Sequence, residues 1–174
     1  MNRLQNFQTA ARQGGASLFV VLMLLLIMTL LGLAALRGTL LEERMSANLY
    51  DRSVSFQAAE AALRFAETLA AAQPAGDAVC SNGICSTPVA SDPDRWLSPS
   101  FGGWRDVTSD LALGTIAPQT DVIVENMGLA PTWPGCDRKI PIDALCMAPR
   151  YRITARSSEA GRAAVFLQTN FIVR

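Results

Sequence analysis

The residues with the most chemistry in this sequence are four cysteines, Cys80, Cys85, Cys136 and Cys146. Four residues separate the first two and nine the last two. Sequential pairing would close two small loops and is the favoured arrangement, although the sequence leaves three pairings open. A four-cysteine zinc site is the rival, but such sites usually space paired ligands about two to four residues apart, which the second interval exceeds. The sequence contains no histidine. That removes serine-histidine-acid and cysteine-histidine catalysis, together with every histidine-containing metal site. Asp and Glu carboxylates are the obvious acid-base groups left, and no paired-carboxylate motif stands out among them. No catalytic residue, metal ligand or cofactor is therefore expected. A membrane-tethered enzyme is only a distant alternative. Formal charge is zero and the basic residues are scattered, which argues against nucleic acid as a partner.

All four cysteines follow one dominant apolar block, where an exported domain would be oxidised. From Ala16 to Leu36 the chain carries no charge, and as a helix this segment would be about 30 Å long, enough to span a bilayer. Arg3 and Arg12 precede it, whereas Arg37, Glu42, Glu43 and Arg44 follow with no net charge. The positive-inside rule then places the N-terminus in the cytoplasm. A cleavable secretory signal competes, because Gly32, Leu33 and Ala34 resemble a signal-peptidase site. Against it, Leu41, Met45, Asn48, Leu49, Arg52, Phe56, Ala59, Leu63, Ala66 and Ala70 continue a helical period. Membrane segment and amphipathic segment read as one helix of about 85 Å through Ala72.

The stretch from Arg12 to Glu67 resembles the N-terminal region of PilX-type minor pilins of type IV pili. The residues that carry the resemblance are the Thr-Leu-Leu-Gly run at 29–32, LLEERMSANLYDR at 40–52 and QAAEAALRFAE at 57–67. It implies prepilin-peptidase cleavage after a glycine, methylation of the new N-terminus and assembly into a filament. Carried over by residue, Gly15 ends the leader and Ala16 begins the mature chain, with Gly14 leaving the bond open by one position. Most pilins carry glutamate at the fifth mature position, where this chain has Val20.

Beyond Ala72 the texture changes to Pro, Gly, Ser and Asp through Gly114, a connection of about forty residues that needs pinning. Cys80 and Cys85 would pin one end, and Trp96, Phe101 and Trp104 would anchor the rest. Thr120–Met127 reads as a strand. Arg150–Ser157 alternates Tyr151, Ile153 and Ala155 with Arg150, Arg152, Thr154 and Arg156, and Ala163–Val173 alternates likewise, so the last two strands should form a hairpin. The three arginines read as the wet face of the sheet rather than as a DNA contact. Residues 137–145, closed between Cys136 and Cys146, form an exposed loop suited to contact or merely to stapling.

The expected architecture is α+β and pilin-like: a long N-terminal helix packed on a small antiparallel sheet, with disulfide-stapled loops. Its parts are a leader at 1–15, a membrane or filament-core helix at 16–36, an amphipathic continuation at 37–72 and a periplasmic domain at 73–174. The resemblance implies a structural subunit that helps initiate the pilus in a tip complex. Its implied partners are other minor pilins, the major pilin, the inner-membrane assembly machinery, prepilin peptidase and a tip adhesin. A type II secretion pseudopilin is the closest alternative, since it shares leader, helix and sheet.

Overall fold

The computed structural model describes residues 15–173. They fall into two units, one ending at Ser46 and one beginning at Ala47. Helix α1 (Ala16–Ala71) contributes to both. Arg3, Arg12 and Gly14 lie outside the described residues.

In the first unit every described side chain is exposed. A helix that is apolar on all sides finds its solvent in lipid or against other apolar helices, not in water. This helix is long and apolar enough to cross a membrane. Thr29 and Thr39 do not spoil that surface. Their hydroxyls donate to the carbonyls of Leu26 and Leu36 at 2.8 and 2.9 Å, so each is satisfied within its own helix.

The second unit packs the rest of α1 on a five-stranded sheet. Its elements are β1 (Ile84–Cys85), β2 (Arg105–Asp106), the short α2 (Thr108–Leu111), β3 (Thr120–Pro131), β4 (Met147–Ser157) and β5 (Val165–Ile172). The order is β1-β3-β4-β5, with β2 also on β3. β3, β4 and β5 are antiparallel to their neighbours, and β4 and β5 form the expected hairpin. The sheet is nevertheless mixed, because β1 runs parallel to β3 at Val124 and Glu125. The Cys80–Cys85 loop turns the chain so that Ile84 arrives in that direction. Gly83 makes the approach possible: its φ is +76°, and a Cβ there would lie 2.6 Å from Arg105 Cβ and 2.9 Å from the Val122 carbonyl oxygen.

Strand β3 is longer than the sequence suggests because an irregularity between Asn126 and Leu129 lets pairing resume. There Gly128 adopts φ +76° and its N–H donates to Asn126 Oδ1 at 2.8 Å.

The core joins Ala62, Ala66 and Ala70 of α1 to Val107, Val122, Val124, Tyr151, Ile153 and Ala155. Alanine on the buried helical stripe brings the α1 backbone close to the sheet, so small changes in volume are felt there. The apolar stripe is only partly used in this way. Ala59, Ala66 and Ala70 are buried, but Leu41, Met45, Leu49 and Phe56 are exposed. The buried residues of α1 run from Ser55 to Ala70, about 23 Å of helix at 1.5 Å per residue.

Candidate functional site

Two surfaces concentrate the features that sequence singled out. The first is the apolar length of α1. Gly15 stands immediately before the helix with φ +52°, and the space its Cβ would occupy is open. Ala16 opens the helix. Val20 is 55% exposed among Leu18, Phe19, Val21 and Leu24, which are all exposed as well. No carboxylate occurs from Ala16 to Leu36. Gly32 and Gly38 sit within the helix with nothing near their Cβ positions. Glu42, Glu43 and Arg44 are exposed.

The second surface is the side of the sheet opposite α1. Arg152 and Arg156 of β4 are not a wet face, as their alternation suggested, because the 86–104 segment folds over them. Glu125, wholly buried, accepts from Arg95 Nη1 at 2.9 Å and from Arg152 Nε at 2.7 Å. Arg152 Nη1 also reaches Asp94 at 2.9 Å. Burial opposes charge on Arg152, but Glu125 and Asp94 outweigh it and raise its pKa above the ordinary arginine value. Next along the strands, Arg156 Nε donates to Asp121 at 2.9 Å while its guanidinium lies 4.2 Å from the Trp104 ring centroid. Trp104 makes edge contacts with Phe101 and Phe166, so the aromatics anchor the loop onto the sheet. Arg95 additionally donates to the Ser86 carbonyl at 2.9 Å, tying the start and the middle of the loop to one buried carboxylate.

The cysteines are joined as Cys80–Cys85 and Cys136–Cys146. The first bridge closes the turn that leads into β1, and the second closes the β3–β4 connection. Within that connection Ile140, Ile142 and Leu145 are exposed. No group of three or more His, Cys, Asp or Glu among the described residues is placed to hold a metal.

Near the start of its packed part, α1 is bonded to the sheet domain by Asp51. It accepts from Arg162 Nε at 2.8 Å and from the Ala163 N–H at 2.6 Å. The Ala163 N–H and then Arg162 hold its carboxyl below the usual range. Asp121 and Glu125 were missed in the sequence, although a signal existed. Acids four apart on one strand match Arg152 and Arg156, four apart on the next, in antiparallel register.

An N-terminal helix with a membrane-competent apolar length and a distal part packed on a disulfide-stapled sheet defines a pilin-like α+β protein. Residues 13–64 match the family model described as PilX N-terminal. The match covers less than a third of the chain and supports a PilX-type minor pilin of type IV pili. The search of curated proteins and the search of solved structures returned no match. The family is structural, and its members interact with other pilus components.

Proposed function

We propose that this minor pilin helps initiate type IV pilus assembly from a tip complex with other minor pilins. It first crosses the inner membrane once, with residues 1–15 cytoplasmic and residues 73–174 periplasmic. Prepilin peptidase cuts between Gly15 and Ala16, and the assembly machinery then moves the mature chain into the pilus, at its tip. The open conformation at Gly15, directly before the helix, supports an accessible junction.

Val20 is the observation that carries the tip position. A carboxylate in an apolar bundle costs about 2.5 to 3.5 kcal/mol on insertion scales unless it is paired. The glutamate usual at this position meets the N-terminal amine of the subunit ahead, and a first subunit has none ahead. An uncharged Val20 avoids a buried unpaired charge.

The Val20→Glu variant tests this by immunogold labelling of sheared filaments alongside a count of pili per cell. Distribution of the variant along the shaft, with wild-type initiation, is the expected result. Unchanged position and unchanged pilus number would end the tip assignment. Mass spectrometry of the same filaments should find a methylated Ala16 at the N-terminus, and a start near Ala35 in a soluble periplasmic fraction would overturn the whole reading.

A further inference from the structure

The two edges of the sheet are treated differently. On the outer side of β3, β2 pairs with Asp121 and Val122 and β1 with Val124 and Glu125, so that edge is capped. On the other side β5 has no neighbouring strand among the described residues. The Val173 N–H donates to the Pro149 carbonyl at 3.0 Å, which fixes the phase of the β4–β5 ladder. Alternate pairs in an antiparallel ladder exchange hydrogen bonds, so Val165, Leu167, Thr169 and Phe171 turn their backbone groups toward β4. Phe166, Gln168, Asn170 and Ile172 therefore turn theirs outward, and those groups have no partner among the described residues.

A free edge is normally blunted by charge, proline, a bulge or short length. β5 has none of these: VFLQTNFI is eight residues long, uncharged, proline-free and in unbroken register. Two arginines flank it. Arg52 lines a hollow with Phe56 and residues 163–167, and Arg150 stands opposite Ile172 with its Nε buried and unpartnered. Neither arginine has an ion pair or hydrogen bond among the described residues. Arg162, nearby, is already engaged by Asp51.

We infer that the β5 edge receives an extended, acidic segment of another pilus subunit as an added strand. The outward amides and carbonyls of Phe166, Gln168, Asn170 and Ile172 bind its backbone, and Arg52 and Arg150 select its carboxylates. The docking presupposes the assembly role proposed above.

The test uses the full-length chain co-produced with the minor pilins of its own cell and purified with them in detergent, beside the same chain purified alone. Hydrogen exchange is read at the four outward amides. Asn170→Pro removes an outward N–H and leaves the β4 ladder intact. Arg52→Glu reverses an exposed charge that no ion pair or hydrogen bond among the described residues uses. The outward amides should slow by at least about tenfold in the complex. Each variant should lower the yield of complex about tenfold while its unfolding temperature stays at the wild-type value. If Asn170→Pro lowers the unfolding temperature, Arg52→Glu and the exchange rates decide. Unchanged exchange within a complex that does form overturns the docking alone, as does wild-type complex yield from both variants. Protection in the chain alone that grows with its concentration shows a second copy on the edge and also overturns it. A wild-type chain that enters no complex overturns the assembly role, and the docking with it.

Discussion

Glu125 and Arg152 stand directly opposite each other on β3 and β4, and the arginine Nε donates to the carboxylate at 2.7 Å. Arg95 holds the second carboxylate oxygen from the covering loop. Removing this one buried anion would leave Arg95 without an ion pair and Arg152 with Asp94 alone. Glu125→Gln should lower stability by about 3 kcal/mol in a denaturant titration. A loss below about 0.5 kcal/mol would mean that water already screens the cluster.

The alanine stripe gives a second expectation. Ala66 is wholly buried against the sheet, so Ala66→Leu should destabilise the domain by roughly 1 to 3 kcal/mol through overpacking. Leu49 is exposed in the described residues, and Leu49→Ala should fall within about 0.5 kcal/mol of wild type. Equal effects at both positions would contradict the burial pattern.

Loop closure sets the expectation for the disulfides. Cys136 and Cys146 are ten residues apart and Cys80 and Cys85 five. Replacing the Cys136–Cys146 pair by serines should cost about 2.5 kcal/mol and the shorter pair about 2 kcal/mol. Thermal unfolding of the two variants under identical conditions compares them. A larger loss for the shorter loop would show that fixing the turn into β1 outweighs chain entropy.

Asp51 makes stability depend on pH. Its folded pKa is depressed, so its contribution is complete above the ordinary carboxylate value of about 3.9 and disappears as pH falls through the depressed one. The stability difference between wild type and Asp51→Asn should therefore stay constant at higher pH and narrow as pH drops below about 4. A difference that widened with acid would reverse the sign of the linkage.

Much of the fold is legible in the sequence because periodicity reports burial. Tyr151, Ile153 and Ala155 alternate inward, and Ala59, Ala66 and Ala70 recur at helical spacing. The arginines misled because alternation shows only that a strand has two kinds of face. It does not show whether a distant loop covers the polar one. Asp94 and Arg95 reach Arg152 and Glu125 across 58 and 30 residues respectively, separations that no local pattern encodes. Asp51 was hidden for the same reason, since Arg162 lies 111 residues away.

The bond from Tyr151 to the end of α1 has a mechanical side. The buried hydroxyl donates to the Pro74 carbonyl at 3.1 Å, and burial raises its pKa, which keeps the donor protonated. Asp51 fastens an earlier turn of α1 to Arg162 and Ala163. A tug along the helix would thus load two widely separated rivets in shear, with the alanine contacts between them, rather than peel the sheet away strand by strand.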